Sequence, residues 1–402
     1  VSSTSTLLGD RRREALARRQ AASRHPARRA TPTTHTHAST SPPPVAFYLI
    51  GVVVAVFVML GLVMVLSAST ISEFRRGNSP WRLFNRQLTW AGVGVVGMWV
   101  AMRVPYYFWR RLVLPLLAVS YALMLVPFLA GTTINNARAW VVMGPVSFQP
   151  SEFLKLAVLV YCAHLLSNRQ SELSDLRRTL LPVLAVAGAA AGLSMLQGDL
   201  GSAIVLAAIV MIVGFLAGLP ATPMMVSGLG AAAIAGVFVA SSEFRRQRFT
   251  AFLNVDANRD HLSYQTYQAL IAMAEGGVVG DGVGRGSNKL GDFLPLAHSD
   301  FIFAVIAEEL GLIGVIGVLG GFVVLAYCGM QVAMAVQDRF AALLAGGIVA
   351  WFSVQAIINV GGVTGVLPVT GLTLPFFSAG GSSLFICMTA TGLLMNVSRS
   401  VR

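Results

Sequence analysis

Charge is what this chain has least of. Asp, Glu, Lys and Arg make up 11% of its 402 residues, where a soluble domain carries about 25%. With 55% hydrophobic residues and a mean hydropathy of +0.71, it cannot clothe a water-soluble surface, and a soluble enzyme is excluded. A soluble domain on a single anchor is excluded too, because no stretch beyond residue 44 is long and charged enough to form one. Cysteine is also scarce. Cys162, Cys328 and Cys387 lie in or beside apolar segments, which argues against a disulfide framework or a cysteine metal cluster. What remains is one apolar run after another, the pattern of a polytopic membrane protein.

The net charge of +12 raises nucleic acid as a partner. The positive residues are scattered between apolar runs and cluster only at the N-terminus, so no nucleic-acid partner is expected. Residues 1–44 hold Arg11, Arg12, Arg13, Arg18, Arg19, Arg24, Arg28 and Arg29, followed by a tract rich in Thr, His and Pro. Such a segment buries too little apolar area to order itself and reads as a disordered cytoplasmic arm suited to anionic membrane lipid. It does not read as a signal peptide, because a long polar tract precedes an apolar span of more than about 20 residues.

A hydrocarbon layer about 30 Å thick is crossed by about 20 apolar helical residues. The sequence predicts spans at 46–69, 87–104, 112–130, 151–167, 180–196, 200–217, 222–240, 301–327, 340–361 and 374–396, with polar breaks at 71–86, 131–149, 168–178 and 241–300. The expected fold is an all-α polytopic membrane protein of about ten transmembrane helices, a domain spanning 45–396 with a cytoplasmic tail at 397–402. With the N-terminus inside, Arg103, Arg110, Arg111, Arg169, Arg177, Arg178 and Arg339 fall on the cytoplasmic side, as the positive-inside rule asks. Arg75, Arg76, Arg82 and Arg86 fall outside, against the rule, as do Arg245, Arg246 and Arg248. The stretch 241–300 becomes a large extracytoplasmic loop between the seventh and eighth spans. Within it, 264–275 has helical periodicity. The glycine-dense 276–291 reads either as a connector or as backbone that approaches an anionic oxygen closely; it lacks the ending of a Walker loop.

The few charges near the membrane define candidate sites. Asp300, preceded by His298 and Ser299, stands where the chain returns into the membrane. It reads as a helix N-cap, as a base that takes a proton from a sugar hydroxyl, or as both. Glu308 and Glu309 follow inside the next span, where carboxylates are expensive and usually functional. Glu152 and Lys155 share a helical face and read as an internal salt bridge or as part of a polar cavity. Asp199 opens another helix on the same side, and Asn135, Asn136, Arg138 and Trp140 supply groups suited to phosphate and sugar. Pro368, Pro375, Gly380, Gly381, Ser382 and Ser383 bracket a broken approach to the last span, where irregular backbone lines a cavity.

Three strings, ARAWVVMGPVSFQPSEFLKLA (137–157), LPLAHSDFIFAVIAEELGLIG (294–314) and LPVTGLTLPFFSAGGSS (367–383), strongly resemble the SEDS family of shape, elongation, division and sporulation proteins. The resemblance covers about residues 46–396 and is nearer to the division branch than to the elongation branch. It implies a ten-helix peptidoglycan glycosyltransferase that polymerises lipid II at the outer face of the cytoplasmic membrane. The family's proposed catalytic aspartate falls on Asp300, which the resemblance makes the general base. Arg138 and Lys155, with Arg285 and Lys289 as loop alternatives, are then the candidates for the leaving pyrophosphate. Glu152, Asp199, His298, Glu308, Ser382 and Ser383 complete the expected substrate site. The resemblance implies no certain cofactor, and a divalent cation, Mg2+ or Mn2+, stays open.

The implied partners are the nascent glycan strand, a class B penicillin-binding protein that supplies the transpeptidase, and other division proteins at the septum. The sequence departs from the family pattern at Ala139, where a second arginine is common, at Gly198–Ser202, and at Ala379, where tyrosine is frequent. A lipid II flippase and a pure scaffold are the alternatives from other functional classes. The bias of carboxylates toward one face favours polymerisation over a path through the bilayer.

Overall fold

The computed structural model describes residues 44–130, 132–134, 137–143, 146–255, 263–287 and 294–401. Positions 1–43 of the expected arm, along with Asn135, Asn136, Lys289 and Asp292, lie outside the described residues.

Helices stand at all ten predicted places. In chain order the helices are α1 (Val45–Arg75), α2 (Arg82–Arg103), the short α3 (Tyr106–Arg111), α4 (Val113–Ala130), α5 (Pro150–Asn168), α6 (Leu181–Leu196), α7 (Leu200–Ala217), α8 (Ala221–Ala240), α9 (Glu243–Leu253), α10 (Tyr264–Glu275), α11 (Ile302–Ala335), α12 (Arg339–Val363) and α13 (Gly381–Ser398). Among the described residues seven are long and apolar enough to cross a membrane: α1, α6 with its π-helical lead-in, α7, α8, α11, α12 and α13. A shorter apolar helix runs over Val113–Leu129. In α2 and α5 the apolar run is interrupted by groups such as Arg86 and Gln87, and Glu152 and Lys155. The chain is a multi-pass, helical membrane protein.

The structure sharpens the sequence reading at three places. The polar break at 131–149 is not plain loop but a small antiparallel sheet, β1 (Thr132–Ile134), β2 (Ala137–Met143) and β3 (Val146–Phe148), in the order β1-β2-β3. Its strands are too short to stand out against neighbouring apolar helices. The break at 241–300 contains α9 as well as the foreseen helix α10. The last helix starts at Gly381 rather than near 374, because 366–380 runs as irregular turns.

Alternation of the helices puts β1–β3, the α6–α7 turn, the 276–287 loop, the 294–301 turn and the 366–380 segment at one end of the bundle. The opposite end joins the first and last helices, where the Arg399 guanidinium lies 4.8 Å from the centre of the Phe47 ring and Asn396 donates to the Met102 and Val104 carbonyls. Close approach is needed between α2 and α13. A Cβ at Gly381 would collide with the Trp90 ring, and one at Gly392 with the Met98 carbonyl.

Helix α11 is broken at Gly311, whose φ of 64° and ψ of −163° suit glycine alone. The glycine loop before it fills the break. Leu312 and Ile313 N–H groups donate to Gly277 and Val278, while Asp281 and Gly282 donate to the Glu308 and Glu309 carbonyls. Backbone freed inside a membrane protein is thereby satisfied by protein.

Candidate functional site

The 294–301 turn carries Asp300 and is strained. Leu296 (φ 60°) and Phe376 (φ 70°) are the non-glycine residues with positive φ among those described, and both belong to the segments that meet around Asp300. Strain of this kind persists where the surroundings over-determine it, and it clusters at functional sites. The N-cap position of α11 falls on Phe301, which makes no side-chain cap of its own, and Asp300 stands one residue before it.

The 366–380 segment holds the turn by its main chain. Ser378 Oγ donates to the Ser299 carbonyl at 2.6 Å and accepts from Leu374 N–H at 2.8 Å. Ala379 N–H donates to the His298 carbonyl at 2.9 Å, and Gln87 of α2 donates to the Ser378 carbonyl at 3.0 Å. Asn359 of α12 donates to the carbonyls of Asp300 (2.8 Å) and Leu372 (2.7 Å). Asp300, Phe301, Asn359, Thr370, Gly371 and Leu372 then line a shallow recess.

A basic cluster that sequence reasoning missed stands beside this turn. Buried Glu73 pairs with Arg76 and Arg82 at 3.5 Å each, and Arg86 follows one helical turn after Arg82. Burial pushes the His298 imidazole down to about 4, and repulsion from Arg76 and Arg86 pushes the same way, against a smaller opposing pull from Glu73. His298 is therefore neutral at pH 7. The signal was present in the sequence: these arginines are the ones that break the positive-inside rule.

The other expected residues divide into three groups. Glu152 and Lys155 form a buried ion pair at 2.8 Å; the Lys155 ammonium also donates to Gln355 (3.0 Å) and sits 5.5 Å from the centre of the Trp351 ring. Of the two readings of this pair, the internal salt bridge is the one observed, and it leaves Lys155 inside the protein rather than open to a pyrophosphate. Asp199 caps α7 through Ser202 N–H (2.9 Å) and accepts from Gln149 (2.7 Å) and Ser151 (3.1 Å), joining α5 to α7. Ser382 accepts from Gln149 N–H, and Ser383 bonds Thr373, so both tie α13 to the site-bearing end.

Arg138 is exposed on β2, its N–H donating to Gln197. Arg285 is exposed on the glycine loop. That loop does bring a backbone N–H to an anionic oxygen, but the oxygen is the protein's own: Gly284 donates to buried Glu309 at 3.0 Å, and Ser67 donates to the same carboxylate at 2.5 Å. Glu308 is equally buried, under Gly286. A resident divalent cation would ask for clustered oxygen or nitrogen donors. Among the described residues no group of three or more His, Cys, Asp or Glu side chains is placed to hold one.

The FtsW/RodA/SpoVE family, described as cell cycle proteins, matches residues 47–402. The chain belongs to this family. Over 345 residues it is 40% identical to a probable peptidoglycan glycosyltransferase FtsW of Trichlorobacter lovleyi, covering 85% of this chain and 90% of that one. It is 39% identical to the protein of the same description from Mycobacterium tuberculosis, over 92% of this chain and 71% of the relative. Two solved structures resemble the fold. One is of a peptidoglycan synthase complex that coordinates polymerization and crosslinking (TM-score 0.72, 31% identity, 88% of this chain and 97% of that chain). The other is the rod shape determining protein RodA of Thermus thermophilus (TM-score 0.65, 30% identity, 88% and 96%). The SEDS resemblance and the helical membrane fold it implied are thereby borne out.

Proposed function

We propose that this chain is a peptidoglycan glycosyltransferase of cell division, polymerising lipid II into glycan strands at the outer face of the cytoplasmic membrane. The observation that carries the reading is a carboxylate, Asp300, held by strained and cross-linked main chain at the edge of a recess, with three arginines beside its turn. Membership of a family whose relatives are described as peptidoglycan glycosyltransferases supports it.

In this reading Asp300 takes the proton from the GlcNAc 4-hydroxyl of an incoming lipid II. The oxygen attacks the anomeric carbon of the growing chain, and the bond from that carbon to undecaprenyl pyrophosphate breaks, the electron pair leaving with the phosphate. Because that leaving group is already good, positive charge near it is worth more than acid assistance. Arg76, Arg82 and Arg86 join Arg138 and Arg285 as the groups that meet the pyrophosphate. Glu152, Lys155, Asp199, Ser382 and Ser383 act behind them by fixing α5, α7 and α13.

Both chain ends lie on the cytoplasmic side in this orientation, and the described ends of α1 and α13 meet at the bundle end opposite Asp300. A class B penicillin-binding protein is the partner, on the penultimate spans and the outer loop, at the division septum. The structural likeness to a synthase complex supports it. Anionic lipid and other division proteins meet the basic arm.

The test is purified protein with its cognate transpeptidase, given lipid II. Glycan chains disappear in Asp300→Ala and persist when the partner's active site is disabled. Polymerisation retained by D300A would remove the base assignment, and translocation of lipid II without polymerisation would favour a flippase.

A further inference from the structure

We infer that Asn359 is the positioning residue for Asp300, a role that rests on Asp300 being the base. Three elements meet at this one side chain: α12, which carries it; the strained turn 294–301; and the irregular segment 366–380. Its Nδ2 donates to the carbonyl of Asp300 itself at 2.8 Å and to that of Leu372 at 2.7 Å. Two carbonyls on one side require the amide NH2 there. The Oδ1 atom is left buried with no hydrogen-bond partner among the described residues, in a side chain only 5% exposed that lines the Asp300 recess.

One turn earlier on the same helix face, Gln355 repeats the grip. Its Nε2 donates to the Thr373 carbonyl at 2.9 Å, while its Oε1 accepts from Lys155 and Trp351. Residues four apart on a helix stack on one face. The pair Gln355 and Asn359 therefore fastens consecutive residues, Thr373 and Leu372, to α12, and Asn359 alone extends the clamp to the base. The peptide oxygen of Asp300 is fixed from a rigid helix, so the carboxylate one Cα away inherits that position. Alanine at 359 frees the turn. Aspartate at 359 turns two attractive contacts into carbonyl–carboxylate repulsion and adds a second negative charge beside Asp300.

The experiment measures kcat, KM and the pH dependence of kcat for lipid II polymerisation in wild type, Asn359→Ala, Asn359→Asp and Asp300→Ala, in complex with the transpeptidase, together with thermal unfolding. N359A lowers kcat by about tenfold to a hundredfold, the effect of a catalytic group displaced by about 1 Å, with KM within about twofold. In N359D the acidic limb of the kcat profile moves up by at least about half a pH unit, because a neighbouring like charge raises a carboxyl pKa. A purely structural role would give losses that follow the folded fraction, with no movement of the acidic limb, and that result overturns the inference. A raised KM at unchanged kcat overturns it as well, making Asn359 a substrate contact. If D300A polymerises, the base assignment fails and the inference with it. If D300A is inactive while N359A keeps its kcat and N359D its pH profile, only the inference fails.

Discussion

Helices α8 and α13 are both apolar and of similar length, yet protein buries 6% of the most apolar stretch of α8 and 83% of that of α13. The more apolar of the two is the more exposed. In lipid this is the expected order, because hydrocarbon tails are as apolar as leucine and burial among helices is not driven by hydrophobicity. Helix α8 presents Met225, Val226, Leu229, Ile234 and Val237 outward. Helix α13 buries Ser382, Ser383, Thr389 and Thr391, each hydrogen-bonded within the protein, and brings Gly381 and Gly392 against α2. The difference teaches that hydropathy marks what crosses the membrane, while polar and small residues mark what packs at its centre and carries the site.

The largest expected effect is on the buried side, in α5, whose N-cap Gln149 bonds Ser382 of α13. Lys155→Ala leaves Glu152 as an unpaired buried charge and destabilises by about 3–5 kcal/mol, whereas the double variant E152Q/K155M recovers most of the loss. Unfolding in detergent measures both. On α8, Ser227→Ala removes only bonds to the helix's own backbone, at Pro223 and Met224, and stays within about 0.5 kcal/mol. If the buried pair on α5 and the exposed face of α8 respond alike, burial is not what separates a packed helix from a lipid-facing one.

Next comes packing. Gly392→Leu drives a side chain into the Met98 backbone and costs about 1–3 kcal/mol or more, while Gly230→Leu on α8, with no atom near its Cβ position, is tolerated. Thermal midpoints of the pair give the contrast directly. Asp199→Ala removes the cap of α7 and its links to Gln149 and Ser151, a loss of about 1–2 kcal/mol that is also read by unfolding.

The last effect, absent at neutral pH, concerns His298. The unfolded imidazole gains its proton near pH 6.5 and the folded one near 4, so the unfolded state binds more protons between these values. Stability therefore falls as pH drops from about 6.5 to about 4, and not above that window. His298→Gln flattens this part of the profile, and thermal midpoints between pH 7 and pH 4.5 show whether it does.

The ten helical places were legible because apolar runs are local. So were the Glu152–Lys155 pair, from its spacing of three, and the Asp199 cap, from its position before an apolar run. The small sheet at 132–148 was not, since its short strands give little alternation. Nor was the capping position at Phe301, which the turn backbone sets one residue beyond Asp300. The arginines at 76, 82 and 86 were seen and their exception to the inside rule noted, but nothing local shows that an exception of this kind surrounds a histidine more than two hundred positions away.

By itself the sequence determined that this protein lives in lipid, where its apolar helices stand, and which family it belongs to, since each of these depends on composition and order along the chain. Tertiary structure alone decided what the scarce polar groups do. Gln87 meets Ser378 across 291 positions, and Ser67 meets Glu309 across 242. A buried polar group must find its partner somewhere, and where that partner lies in the chain is a property of the fold.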